Sequence, residues 1–239
     1  MQPAAIYSRI KENADASKKM LAFLVDPDKA EDAYLEKLCE LAAAQSVDIF
    51  LVGGSLLTGG DLEACINKLK SLSTIPVIIF PGSPSQISES ADALLFLSLL
   101  SSRNAEMLIG QQVVAAPYLY KCNIEVISTA YLLIDGGKQT TASYISNSTP
   151  IPADKSEIAA YTALAGQYLG MKQIYLDAGS GALNNIPSDL IKAVSEKIDI
   201  PLIVGGGIDN HDKIKAAHDA GADIVVIGNA LEKGLKIFD

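Results

Sequence analysis

Eight short apolar runs, nearly unbroken by polar residues and spread along the whole chain, constrain the fold more than any other feature. They are MLAFLVDP (Met20 to Pro27), DIFLVGGS (Asp48 to Ser55), PVIIFPG (Pro76 to Gly82), ALLFLSLL (Ala93 to Leu100), IEVISTAYLLID (Ile124 to Asp135), QIYLDAGSG (Gln173 to Gly181), PLIVGGG (Pro201 to Gly207) and DIVVIGN (Asp223 to Asn229). A strand with one face in water alternates apolar and polar residues, whereas these runs do not, so each is expected to be buried on both faces. Most are followed by apolar residues at three- and four-residue spacing, as over Ala30 to Gln45, Lys155 to Tyr168 and Asp212 to Ala220, which predicts covering helices. Eight strands alternating with helices in 239 residues match a single (β/α)8 TIM barrel over residues 1–239, for which about 250 residues is typical. A doubly wound open sheet binding a dinucleotide would show GxGxxG after its first strand, and VDPDKAED shows nothing of the kind.

The spacing breaks once. Leu132 to Pro152, LLIDGGKQTTASYISNSTPIP, is rich in β-formers around Asp135-Gly136-Gly137. It predicts a hairpin-like, β-rich extension after the fifth strand, with no helix before Asp154.

The seventh and eighth runs end in Gly205-Gly206-Gly207 and Gly228-Asn229. In a barrel both lie on the C-terminal rim, where the last two strand-to-helix loops commonly hold a phosphate. Glycine lets the backbone approach phosphate oxygens, and free amides at a helix start supply donors without lysine. The alternative is that these glycines only form tight turns. The sixth run ends in YLDAGSGA, which adds a hydroxyl-bearing loop and places Asp177 inside an apolar strand. A buried acid is costly unless hydrogen-bonded or functional, so Asp177 is the candidate catalytic acid or base, with a structural acid as the alternative. The first run ends in Asp26-Pro27-Asp28-Lys29 and the second in Gly53-Gly54-Ser55. Asp26 and Ser55 are candidate oxygen ligands for a hard cation such as Mg2+, which binds one or two protein oxygens and bridges to substrate phosphates. Asp28 reads equally as a helix N-cap.

A formal charge of −9 without a basic run argues against nucleic-acid partners. An anionic substrate therefore needs local amides, a metal or a few placed cations. Cys39, Cys65 and Cys122 show no CxxC spacing and are expected to be reduced thiols. No apolar run reaches the roughly 20 residues of a membrane span, and the N-terminus lacks an apolar signal core, so a cytoplasmic protein is expected.

Taken in order, FLVDPDK, LVGGS, YLDAGSGA, VGGGI and IGNAL resemble the geranylgeranylglyceryl phosphate synthase and heptaprenylglyceryl phosphate synthase family. The resemblance extends through STAYLLIDGG and TPIPADKSEIAAYTALAGQYLGM, nearly the whole chain. It implies a barrel prenyltransferase that joins the 3-hydroxyl of sn-glycerol 1-phosphate to C1 of a long prenyl diphosphate, geranylgeranyl diphosphate being the expected donor, with Mg2+ as cofactor. Position by position, it assigns Mg2+ to Asp26 and Ser55. It assigns glycerol phosphate to Tyr175, Leu176, Asp177, Ala178, Gly179, Ser180 and Gly181, with Gly206, Gly207, Gly228 and Asn229. Leu24 stands where one branch has lysine, which suits the group with archaeal and Bacteroidetes-like members. Asp177 stands where the family usually has glutamate, so its reach is one methylene shorter.

The prenyl tail requires an apolar trench, for which LLFLSLL, Tyr118, Tyr120 and Tyr131 are candidates, plain core being the competing assignment. Arg103 and Lys121 are candidate diphosphate partners, exposed solvated cations being the competing and favoured assignment for each, and His211 and His218 read as surface residues. A homo-oligomer and a transient contact with a membrane surface are expected as partners. The competing functions are another phosphate-binding barrel enzyme, an isomerase or lyase, and a non-enzymatic prenyl-phosphate carrier.

Overall fold

A computed structural model describes residues 5–232. Its eight strands, β1 (Met20–Val25), β2 (Ile49–Val52), β3 (Val77–Ile79), β4 (Ala93–Leu99), β5 (Glu125–Leu133), β6 (Gln173–Asp177), β7 (Leu202–Gly205) and β8 (Ile224–Ile227), close into a parallel barrel in sequence order. β1 pairs with β2 on one side and β8 on the other, with Ala22 opposite both Ile49 and Val226. The expected barrel is what the chain forms, and each apolar run supplies one strand. Along each strand the side chains divide. Ala22, Leu51, Ile78, Leu95, Ile127, Tyr175, Ile203 and Val226 fill the interior, and Phe23, Phe50, Val52, Leu132, Leu176, Val204 and Ile227 pack under the helices. Burial on both faces is why the runs are continuous rather than alternating.

The helices are α1 (Ala5–Asp15), α2 (Asp32–Ala44), α3 (Leu62–Leu72), α4 (Gln111–Leu119), α5 (Thr141–Ile145), α6 (Ser156–Tyr168), α7 (Ser188–Ser195), α8 (His211–Asp219) and α9 (Asn229–Glu232). α1 closes the N-terminal end of the barrel. Glu125, buried at the start of β5, accepts the Ile6 and Tyr7 amides at 2.8 and 2.9 Å, and Ile10 enters the interior cluster. Satisfying two orphan amides of a helix start offsets the desolvation of that carboxylate.

The alternation departs from the ideal barrel in two places. No helix lies between β3 and β4, where residues 80–92 run as loop. After β5 the expected β-rich hairpin is absent. A single parallel bridge joins Ile134 to Ile151, and the Thr-Ser-rich stretch forms the short helix α5 instead. The reason is a reciprocal cap, in which Thr140 and Ser143 each bond the other's backbone amide. Local side-chain bonds to the backbone outweigh the β-propensity of the residues. Asp135-Gly136-Gly137 does turn, with Asp135 Oδ1 accepting the Gly137 amide at 2.9 Å.

Candidate active site

The loops after β6, β7 and β8 converge at the C-terminal rim. At Gly206 φ is +87°, and a Cβ there would lie 2.7 Å from the Ala178 nitrogen, so a bare α-carbon is required both by the backbone turn and by contact with the β6 loop. The amides of Gly206 and Gly207 donate to no protein acceptor among the described residues. They belong to the loop itself rather than to a helix start, because Asn210 caps α8 by accepting the Lys213 amide at 2.9 Å. Across the gap, Asn229 Oδ1 accepts the Ser180 hydroxyl at 2.8 Å and the Gly181 amide at 3.0 Å. One amide oxygen thus gathers a hydroxyl and a backbone amide from the β6 loop. Gly228 borders the same cavity beside Leu24.

Asp177, the last residue of β6, is only 7% exposed and faces this cavity. The Gly179 amide donates to its Oδ1 at 2.7 Å and the Tyr131 hydroxyl to its Oδ2 at 2.5 Å. Burial raises its pKa above the usual carboxylate value, and those two donors only partly offset the rise. Burial, followed by the Asp177 charge, pushes the Tyr131 and Tyr175 phenols well above their ordinary value, so both remain protonated donors. Tyr175 stacks on Phe80 with ring centroids 5.0 Å apart and meets Tyr131 edge-on at 5.6 Å. Three interlocked rings hold Tyr131 in place, and Tyr131 fixes the carboxylate. Leu176 and Ala178, also expected at the substrate, instead alternate away from the cavity and pack under the helices, and the Ala178 amide donates to the Gly205 carbonyl at 3.1 Å.

The other side of the rim is built from side chains. Asp26 Oδ1 accepts the Asp28 amide at 3.1 Å, capping a single turn over Pro27–Lys29, and its Oδ2 lies 3.3 Å from Lys29 Nζ. Lys29 is closer to Glu232, at 2.8 Å, and that carboxylate is the main reason its pKa is raised. The N-cap role expected of Asp28 therefore falls to Asp26. Asp28 instead reaches across to the β2 loop, where its carboxylate accepts the amides of Thr58, Gly59 and Gly60. These bonds hold its pKa well below the ordinary value. Ser55 borders the cavity with Asp26. Its loop is clamped from the far side by Gln86, which donates to the Gly54 carbonyl at 2.9 Å and accepts the Gly82 amide at 3.1 Å. A Cβ on Gly82 would overlap the Gly54 carbonyl oxygen at 2.2 Å, so the β2 and β3 loops touch backbone to backbone.

Among the described residues no three His, Cys, Asp or Glu side chains cluster as a metal cage. One carboxylate whose Oδ1 is 3.4 Å from a Cβ position on Gly54, with the Ser55 hydroxyl next in the chain, is the donor set expected for a hard cation that completes its shell with water and substrate oxygens. The residues present fit Mg2+ in that sense.

From this rim a cavity of about 850 Å³ runs to β4. Leu95, Leu97 and Leu99 line it from the barrel interior, Leu94 and Phe96 from the outer face of β4, and Ile87, Met107, Ala115 and Leu119 also border it. The loop between β3 and β4 forms one of its walls through Pro81, Ser83, Pro84 and Ile87. The LLFLSLL run and Tyr131 therefore do line a trench, but Tyr118 and Tyr120 do not. Both are exposed on the outside, at 61% and 91%, because they occupy the solvent side at the end of α4. Arg103 turns back to the Ser102 carbonyl at 2.9 Å and borders a separate surface groove beside Tyr161. Lys121 follows α4 and precedes β5, which puts it at the opposite end of the barrel. Neither reaches the site. His211 is exposed, but His218 is half-buried, with its Nδ1 3.1 Å from the Ala222 carbonyl, and burial lowers its pKa. Cys39, Cys65 and Cys122 are free thiols. A lysine that the sequence pattern did not single out, Lys138, also borders the cavity.

The model of the PcrB family matches residues 14–237. A geranylgeranylglyceryl phosphate synthase of Chitinophaga pinensis is 50% identical over 228 residues, covering 95% of this chain and 90% of its own. One from Thermococcus gammatolerans is 44% identical over 217 residues, with 90% and 85% covered. The crystal structure of the (S)-3-O-geranylgeranylglyceryl phosphate synthase from Thermoplasma acidophilum, in complex with its substrate sn-glycerol-1-phosphate, superposes with a TM-score of 0.90. It is 35% identical, and 97% of this chain and 93% of that one are covered.

Proposed function

Because the chain belongs to the PcrB family, we propose that it is a prenyltransferase that joins sn-glycerol 1-phosphate to a long prenyl diphosphate, geranylgeranyl diphosphate being the expected donor. The observation that carries this reading is the juxtaposition of three features on one rim. Loop amides at Gly206 and Gly207 with no protein acceptor among the described residues, the buried carboxylate of Asp177 and the apolar wall of β4 share one cavity of about 850 Å³. A small polar ligand with a phosphate, a group that must lose a proton and a long hydrocarbon are each provided for.

In this reading the monoester docks on the loops that carry Ser180, Gly181, Gly206, Gly207, Gly228 and Asn229, with its oxygens replacing the Asn229 amide oxygen as acceptor for Ser180 and Gly181. That anchoring turns the glycerol 3-hydroxyl toward Asp177 and converts a bimolecular encounter into a local one. Attack by the hydroxyl oxygen forms the C1–O ether bond, the C1–O bond to diphosphate breaks, and the hydroxyl proton passes to Asp177. Burial makes Asp177 a better proton acceptor than an exposed carboxylate, and Tyr131 holds its second oxygen in place. The trench around Leu94, Leu97 and Ala115 takes the tail and excludes water from the allylic centre. Mg2+ held by Asp26 and Ser55 would neutralise the charge growing on the departing diphosphate.

Incubating the protein with sn-glycerol 1-phosphate, Mg2+ and prenyl diphosphates of graded length tests the reading. It expects an ether product from a long donor, abolished by chelator. Binding of both substrates without product would replace it by a carrier, and no binding of the monoester by another barrel enzyme. The same reading includes a homo-oligomer, supported by the exposed Ile158, Tyr161, Tyr168 and Leu169 on and beside α6. It also includes a cytoplasmic location with transient membrane-surface contact, for which vesicle sedimentation is the direct measurement. Among the described residues no helix is long and apolar enough to cross a membrane.

A further inference from the structure

The amide-built side of the rim has a charge problem. A phosphomonoester near neutral pH carries up to two negative charges, yet Asp177, Asp209 and Glu232 all border the cavity and the whole chain is acidic, at −9. Asp209 is paired with Lys213 and Glu232 with Lys29, each at 2.8 Å, so those cations are already engaged and the anion would be met chiefly by neutral N–H groups beside the Asp177 carboxyl. Two lysines border the cavity among the described residues, Lys29 and Lys138. Lys29 is paired with Glu232 and Asp26, at 2.8 and 3.3 Å, and stands on the Asp26 side. Among the described residues Lys138 forms no ion pair and no hydrogen bond through its ammonium.

Its position is set by the loop that carries it. The Gly136 carbonyl accepts the Leu183 and Asn184 amides at 2.9 and 3.0 Å, and a Cβ on Gly136 would overlap that of Ala182 at 2.6 Å. On the other side of Lys138, Thr140 presses against Gly179, where a Cβ would meet its Oγ1 at 2.6 Å. The β5 loop is therefore pinned to the β6 loop on both sides of Lys138. The side chain lies over the loop it is pinned to, and the atom nearest a Cβ position on Gly181 is Lys138 Nζ, at 3.7 Å.

We propose that Lys138 is a substrate-binding residue for the phosphomonoester, its ammonium reaching over Gly181 to the anion held by the loops after β6, β7 and β8. The inference rests on the prenyltransferase reading for the identity of the monoester, and it adds an unpaired cation to a site whose other nearby ammonium, Lys213, is held by Asp209 at 2.8 Å and by the Gly207 carbonyl at 3.1 Å. A flexible ammonium acts as a point charge and can follow the phosphate as it seats.

The test uses the full chain with Lys138→Ala and Lys138→Arg. Calorimetry measures binding of sn-glycerol 1-phosphate and of inorganic phosphate, and steady-state kinetics measures both substrates. Lys138→Ala is expected to weaken monoester binding by about tenfold or more, the scale of one charge-assisted contact. Lys138→Arg should recover part of the loss, and the KM for prenyl diphosphate should stay within about twofold. The wild-type dependence of monoester affinity on salt should also flatten in Lys138→Ala. Unchanged monoester affinity in Lys138→Ala overturns the inference, as does a rise confined to the KM for prenyl diphosphate. Because calorimetry does not need turnover, a wild type that binds monoester but makes no ether refutes the prenyltransferase reading while Lys138 is still decided by its own variant.

Discussion

The two sides of the barrel rim are built in opposite ways. After β6, β7 and β8 the loops present chiefly backbone amides and glycines, groups that do not titrate, beneath the Lys138 ammonium. After β1 and β2 the work falls to side chains. Asp26 caps its own turn, Asp28 gathers three amides of the neighbouring loop, and Gln86 fastens that loop to β3. The first side is specified by shape, so it should fail when volume is added. The second is specified by charge, so it should fail when charge is removed or titrated.

The largest effect is expected at Asp26. Asp26→Asn keeps an oxygen to cap the Asp28 amide, so the fold should survive. Turnover should fall about 10²- to 10³-fold, the scale of losing one group that stabilises developing charge, with calorimetric affinity for glycerol 1-phosphate unchanged. A parallel loss of monoester affinity would erase the division between the two sides. Gly206→Ala is expected to lower monoester affinity by about a hundredfold, through a left-handed φ that costs alanine about 1–2 kcal/mol and an overlap with Ala178. Circular dichroism should show an intact barrel, and wild-type affinity would show that shape does not specify this side.

Next comes Asp177, which belongs to neither pattern. Asp177→Asn should reduce turnover about ten- to a hundredfold, below the upper range for a general base because an allylic electrophile needs little help. Monoester affinity should be spared. Since burial raises the Asp177 pKa, wild-type turnover should rise with pH through an acid limb lying above the ordinary carboxylate range, and this limb should vanish in the variant. The stability effect has the opposite sign. The protonated acid is favoured in the fold, so its contribution is full at low pH and is lost as pH rises through the folded value. Melting curves should therefore show Asp177→Asn gaining on the wild type as pH increases, and a constant difference would argue against a raised value. The smallest effect is expected at Asp28→Asn. There the lowered pKa means that the contribution is present above the ordinary aspartate value and is lost as pH falls below it. A few-fold rise in the KM for prenyl diphosphate with unchanged monoester affinity is expected, as the clamp acts on the Ser55 loop.

Much of this was legible in the sequence because it is local. The eight runs announce strands buried on both faces, and the motifs that end them, VDPDK, GGS, DAGSG, GGG and GN, fall at one rim because every strand in a parallel barrel points the same way. Asp177 stood out as an acid in an apolar strand. What escaped depends on partners far away in the chain. The Thr140–Ser143 cap turned an expected β-extension into a helix, and Asp28 looked like a cap because its true partners begin 30 residues later. Tyr118 and Tyr120 looked like trench residues until the path of α4 placed them outside. Lys138 sat in a stretch whose composition suggested only β-structure.

By itself, then, the chain determined its barrel, the order of its loops around the rim and the kinds of group each loop carries, since hydrophobic periodicity and turn chemistry act over a few residues. Only the tertiary structure decided which of those groups meet. The pairing of Tyr131 with Asp177, of Ser180 and Gly181 with Asn229, and the placing of Lys138 over Gly181 join residues 43 to 49 positions apart. Such contacts are set by the closure and packing of the whole barrel, for which no short stretch of sequence carries a signal.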